Sequence, residues 1–168
     1  MAAFSLMQLG AMAREEGDGV LAGQLFEQAL TTQRELGDTW SIASSLTNLA
    51  ALALSRGDHD RAQELLEQSL ALQWEAGNRP GIAASLERLG ELALGRNNAE
   101  RAICLIAAAN ALYASTGASP DAAERAAHTS AVRRLRDCID DKAFTERWAA
   151  GTSLTPREAV ALATGRPS

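Results

Sequence analysis

Along this chain, apolar side chains return every three or four residues and then break at Gly or Asn. Ile42, Leu46, Leu49 and Ala53 follow that spacing, and after Gly57-Asp58 so do Ala62, Leu65, Leu66, Ser69 and Leu70. Such a period places the side chains on one stripe of a helix. Gly57 ends one helix and Asp58 caps the next. Gly77-Asn78 ends the second stripe, and Pro80, suited to a first helical turn, opens another. The pattern predicts pairs of helices, each with one apolar stripe, joined by tight turns.

The pairs recur with a period of forty residues. Ser5, Ser45 and Ser85 fall in one column, as do Leu9, Leu49 and Leu89; Ala13, Ala53 and Ala93; Ala22, Ala62 and Ala102; and Gly37, Gly77 and Gly117. The turns Gly17-Asp18, Gly57-Asp58 and Asn97-Asn98 stay in phase with them. A composition rich in Ala and Leu produces chance matches between apolar positions, but it does not keep turn residues in register. One hairpin cannot bury its own apolar stripe, whereas stacked hairpins can. The expected fold is therefore all-α: a right-handed α-solenoid of about three hairpins, over 1–38, 39–78 and 79–118, with a C-terminal helical cap over 119–168.

Leu9-Gly10, Leu49-Ala50 and Leu89-Gly90 in the first helices, the turns just named, and Ala22, Ala62 and Ala102 in the second helices together resemble the tetratricopeptide repeat. The usual period of that repeat is about 34. The six additional residues are expected to lengthen the second helix and its exit loop. The resemblance implies that first helices line a concave groove that binds a protein or peptide. The residues carried over to that groove are Phe4, Met7 and Arg14 in the first hairpin. They are Thr47, Asn48 and Ala51 in the second and Glu87, Arg88 and Glu91 in the third, with Leu54 and Leu94 further along. The groove holds no Lys and has Glu87 and Glu91 at one end, which argues against a clamp for a peptide carboxylate. Phe4 and Met7 offer an alternative use, packing against a second copy in a homodimer.

After Gly117 the columns are lost. Ser119-Pro120 reads as the capped start of a further helix, whose apolar residues include Val132, Leu135 and Ile139. Phe144 and Trp148, four apart, share a helical face and are expected to pack on the last hairpin. The series Phe144, Trp148, Gly151, Leu154, Glu158-Ala159-Val160 resembles the C-terminal end of the repeat region in bacterial STAND-type ATPase regulators, some with LuxR-type heads. Leu154-Thr155-Pro156-Arg157-Glu158 resembles the opening of such a DNA-binding head, which would need three more helices. Ten residues follow Glu158, so the expectation is a capping box: Thr155 caps, Pro156 takes the first position, Glu158 reaches back.

Charge and chemistry narrow the function. The net charge is −5, and residues 1–120 hold eight arginines against fourteen carboxylates. An acidic body gives no footprint for phosphate backbones, so no nucleic-acid partner is expected. No apolar run is long enough to span a bilayer and the N-terminus lacks a signal pattern, so a cytoplasmic protein with no membrane partner is expected. Cys104 and Cys138 lack paired spacing and read as free thiols. No phosphate-binding GxxxxGK[ST] loop occurs. His59 and His128 have no metal-ligand partners at suitable spacing and read as solvent-facing or packing residues. No catalytic, cofactor or metal residue is expected. The reading is a non-catalytic binding module, a regulatory or adaptor scaffold. Its alternative is a fragment of a transcriptional regulator whose ATPase and DNA-binding domains lie outside this chain.

Overall fold

A computed structural model describes residues 2–117 and 122–165. Among these the chain forms nine α-helices and no strand: α1 (Ala2–Glu15), α2 (Gly19–Leu36), α3 (Thr39–Ser55), α4 (His59–Glu75), α5 (Arg79–Gly95), α6 (Ala99–Thr116), α7 (Ala122–Cys138), α8 (Asp141–Ser153) and α9 (Pro156–Thr164). This is an all-α helical-repeat fold of the solenoid class. It falls into two compact units, Met1–Ala76 and Gly77–Ser168. The expected cap at Ser119-Pro120 lies outside the described residues.

In the first unit the turns are made by one device. Gly17 and Gly57 have φ of 84° and 75°, a left-handed conformation that glycine adopts without steric cost. The next residue, Asp18 or Asp58, accepts a hydrogen bond from the backbone N–H of Leu21 (2.9 Å) or Arg61 (3.2 Å). The connection between hairpins is equally short, with Gly37 left-handed and Asp38 capping Ser41. This corrects one expectation. The extra residues of the forty-residue period do not lengthen an exit loop. They lie in the helices, and α2, α3 and α4 run 18, 17 and 17 residues. A left-handed residue followed by a capping Asp forces a reversal in either context, so each connection of the first unit closes within two or three residues.

Small residues set the closeness of the helices. A methyl group placed on Gly10 would fall 2.6 Å from the Phe26 ring, and Phe26 is fully buried. Ala22, Ala50 and Ala62 are fully buried as well. Between α2 and α3, the Ser45 hydroxyl donates to Gln33 Oε1 at 2.7 Å, which satisfies two polar groups inside an apolar contact.

The second unit starts with the α5–α6 hairpin, in which a methyl group on Gly90 would lie 2.6 Å from Ile106. α7, α8 and α9 pack on this hairpin. Phe144 and Leu135 are buried in one cluster with Leu94, Ile103, Ile106 and Ala131, and Trp148 packs at its edge. Phe144 stacks on Trp148 with ring centroids 5.5 Å apart, and the Arg136 guanidinium lies 4.6 Å from the Phe144 centroid. The expected packing of Phe144 and Trp148 on the last hairpin is what the structure has. α8 crosses α6 at Gly151, where an added methyl group would overlap the Cys104 carbonyl and lie 2.7 Å from Cys104 Cα. α9 opens with the expected capping box: Glu158 N–H donates to Thr155 Oγ1 and Thr155 N–H to Glu158 Oε2. The Thr155 hydrogen bonds hold the Glu158 carboxyl below its ordinary range. Arg101 closes the far end of α9 through a 2.7 Å bond from Nη2 to the Ala163 carbonyl.

Candidate functional site

Six of the nine groove residues read from the sequence lie on α1 and α3 of the first unit. Phe4, Met7 and Arg14 stand on α1 at spacings of three and seven, which keeps them on one stripe. Phe4 is 70% exposed, an aromatic ring left in water by the chain around it. Arg14 and Asn48 meet across the two helices, Nη1 donating to Oδ1 at 3.1 Å. The Asn48 amide also donates to the Ser44 carbonyl at 3.1 Å, which fixes its orientation. Thr47 and Met7 are tied inward. The Thr47 hydroxyl lies 2.9 Å from Ser69 Oγ, and the Met7 sulfur 3.0 Å from Ser45 Oγ. Ala51 is half-buried. The first unit therefore presents an exposed aromatic ring at one end of the stripe and an Arg–Asn pair at the other.

The remaining three, Glu87, Arg88 and Glu91, lie on α5 of the second unit. Arg88 Nη1 donates to both Glu91 oxygens, at 3.1 and 3.0 Å, so these charges are mutually satisfied. Glu87 is only 8% exposed. His128 of α7 stands over it, with Nδ1 2.8 Å from Glu87 Oε1. A carboxylate only accepts, so Nδ1 carries the proton in this pair. The His128 ring also meets Trp148 of α8 edge-on, with centroids 6.4 Å apart. Leu94, two turns further along α5, is likewise 8% exposed and shares a cluster with Ala131 and Leu135 of α7. The sequence reading put Glu87 and Leu94 on an open groove and did not see that α7 covers them. His128 was legible as one of two histidines, but its partner is 41 residues away.

The hydrogen bond that His128 donates to Glu87 is the main cause that raises the His128 pKa above its ordinary 6.5, against partial burial, which pushes it down. A group whose pKa is raised on folding contributes stability in full below its unfolded value, and that contribution is lost as pH rises through the folded value. The charged group facing His128 from α5 is Glu87, and the group facing it from α8 is the uncharged Trp148 indole. Wild-type stability is thus expected to fall as pH rises from about 6.5 through the raised value, and His128→Asn should remove that slope. Urea midpoints at half-unit pH steps check it; parallel profiles for the two proteins would exclude the pair as the origin.

Other chemistry is sparse. A concavity of about 600 Å³ lies in the first unit among α2, α3 and α4, lined by Gly23, Leu49 and Leu52 among others. Arg56 at its rim donates to the Gly19 carbonyl at 2.5 Å and Arg61 pairs with Glu27 at 3.7 Å. None of the nine groove residues lines it. No group of three or more His, Cys, Asp or Glu able to hold a metal ion occurs among the described residues. Burial pushes the Cys104 thiol above its ordinary pKa, the reverse of an activated thiolate. No described helix is long and apolar enough to cross a membrane.

Comparison with curated proteins finds no match. The sequence profile of the tetratricopeptide repeat matches residues 1–73 and, in a second overlapping placement, 41–115. That span takes in α1 through most of α6, and with them the columns and turns described above. The chain belongs to the tetratricopeptide repeat family.

Proposed function

We propose that this chain is a non-catalytic module that binds a protein or peptide along the first-helix positions of its hairpins, as a regulatory or adaptor scaffold. Tetratricopeptide repeats generally mediate contacts between proteins. The observation that carries the reading here is the pairing on α1 and α3 of an exposed Phe4 with the oriented Arg14–Asn48 bond. An accessible ring supplies an apolar anchor, and a fixed amide and guanidinium supply direction. The fitting partner is an extended or helical peptide with one apolar side chain and an acceptor group about 15 Å away, the rise of ten helical residues from Phe4 to Arg14. Phe4→Ala combined with Asn48→Ala should lower affinity for a partner captured from lysate by on the order of tenfold or more, with unchanged circular dichroism. Calorimetry reads it, and unchanged affinity would remove the first unit from the site. Should Phe4 and Met7 serve instead to pair two copies, sedimentation velocity of Phe4→Asp would show a dimer becoming a monomer.

The array is taken to span 1–118, with hairpins over 1–38, 39–78 and 79–118, followed by a cap over 119–168. The support is that α7–α9 lack the repeat columns and pack their buried residues on α6. The finer assignment, to the repeat region of a bacterial STAND-type, LuxR-linked regulator, rests on the tail series. Phe144, Gly151 and Ala159 of that series are all buried against neighbouring helices, which is the role such a closing segment needs. A P-loop ATPase reading frame joined or adjacent to this one would support a cytoplasmic regulator over a free adaptor.

A further inference from the structure

We propose that two copies of this chain join through the side of the first hairpin that carries Leu9 and Met12 of α1 and Leu21 and Leu25 of α2. This pairing is independent of the groove reading. It also uses another side of α1 than a pairing through Phe4 and Met7. At about 100° per residue, Met7 lies roughly 140–160° around the helix from Leu9 and Met12.

The second hairpin shows what that side meets. Forty residues further on, the same four positions are Leu49, Leu52, Arg61 and Leu65. All four line the concavity that α3 and α4 form with α2. Leu52 comes within 3.9 Å of a methyl group placed on Gly19 or Gly23 of α2, and Arg61 pairs with Glu27 of α2 at 3.7 Å. These positions of the second hairpin therefore face the first, and the three leucines among them are exposed by 7% or less. Both hairpins are built on the same Gly-Asp turn, so the same positions share one side of the first hairpin. There Leu9, Met12 and Leu21 are 51, 55 and 43% exposed, and Leu25 is half-buried.

The first hairpin also departs from the other two in its charges. Where α4 has Asp60-Arg61 and α6 has Glu100-Arg101, α2 has Val20-Leu21. Residues 1–13 and 19–26 hold no Asp, Glu, Lys or Arg. An open solenoid face is kept in solution by polar residues, whereas an exposed apolar one marks a surface that another protein surface covers.

The missing charges select that surface. A hairpin of the repeat's own pattern would present a carboxylate at the position of Glu27, the group that Arg61 pairs. Opposite Leu21 that carboxylate has no cation. A second copy, turned about a two-fold axis, sets the same Leu and Met side chains against these and strands no charge.

Sedimentation equilibrium of the full chain, on the order of 1 to 200 µM, reads the association. Wild type should form a dimer and nothing larger. Met12→Glu and Leu21→Arg should each weaken the dimer about a hundredfold, since every change enters a two-fold interface twice. Both side chains are exposed, so circular dichroism should stay unchanged. Peroxide gives a second readout: Met12 should be oxidised several-fold more slowly in dimeric wild type than in Leu21→Arg, and Met7 at the same rate in both. A wild-type chain that stays monomeric at the highest concentration overturns the proposal. So do variants that associate like wild type, or a dimer that protects Met7 and not Met12. A dimer dissociated by Phe4→Asp and untouched by Leu21→Arg would put the pairing on the groove side and overturns it as well. None of these measurements uses a captured partner, so their failure leaves the groove reading to its calorimetric test.

Discussion

Gly151→Leu is expected to cost the chain about 3 kcal/mol and to free α8 from α6, at the upper end of what overpacking does in a closely packed interior. The reason is the nature of the atoms in the way. An added methyl group would overlap the Cys104 carbonyl, fall 2.7 Å from Cys104 Cα and 2.8 Å from Ala107 Cβ. Two of these are backbone atoms of a neighbouring helix, which cannot turn aside as a long side chain can. Moving the helices apart opens the cluster that holds Phe144 and Leu135. Gly23→Ala provides the control. A methyl group there meets only Leu52 and Arg56 side chains, at 3.8 and 3.9 Å, and replaces a helix-interior glycine. It should stabilise by roughly 0.5–1 kcal/mol. Thermal and urea unfolding of both variants provide the measurement. A Gly151→Leu protein as stable as wild type would show that α8 does not cross α6 at this point.

Ala62→Leu should destabilise by about 1–3 kcal/mol, while Ala51→Leu should stay within about 0.5 kcal/mol of wild type. Both are alanines in helices of the same hairpin, so propensity does not separate them. Ala62 is fully buried, three residues before Leu65 and four before Leu66, which are buried with it. Ala51 is half-buried, with part of its side chain open to water. Extra methylenes at Ala51 have solvent to enter; at Ala62, with no exposed surface, they have none. Equal losses in melting temperature would mean that the register of the hairpin is misassigned.

Much of this molecule was legible in its sequence because the relevant interactions are local or repeated. The turn at Gly57-Asp58 is decided by a φ that glycine tolerates and a side chain that reaches three residues ahead, and both lie within a five-residue window. The capping box at Thr155 and Glu158 is similarly self-contained. The columns through Ala22, Ala62 and Ala102 were readable because three copies of one contact carry one constraint. The same locality explains the misreading of the exit loop. Its length follows from Gly37-Asp38 repeating the hairpin's own turn chemistry, whereas the expectation followed the shorter period of the family.

The groove residues show where that legibility ends. Leu9 and Leu49 are equivalent in sequence, yet Leu9 is 51% exposed and Leu49 7%. Arg14 found Asn48, and Thr47 found Ser69, through helix packing that no spacing rule states. Glu87 was assigned to solvent by its place in the repeat, and Gly151 was one small residue in a tail series. By itself the sequence determined the helices, their turns, their hairpin pairing and the absence of the familiar catalytic motifs, because each depends on residues a few positions apart or on a constraint written three times. Only the tertiary structure decided that Leu135 of α7 joins the cluster of α5, α6 and α8, that His128 meets Glu87, and that Gly151 is the point where α8 touches the backbone of α6. Those contacts occur once each, and the last two join residues more than forty positions apart. Their energies depend on how rigid helices dock, which no periodicity in the chain encodes.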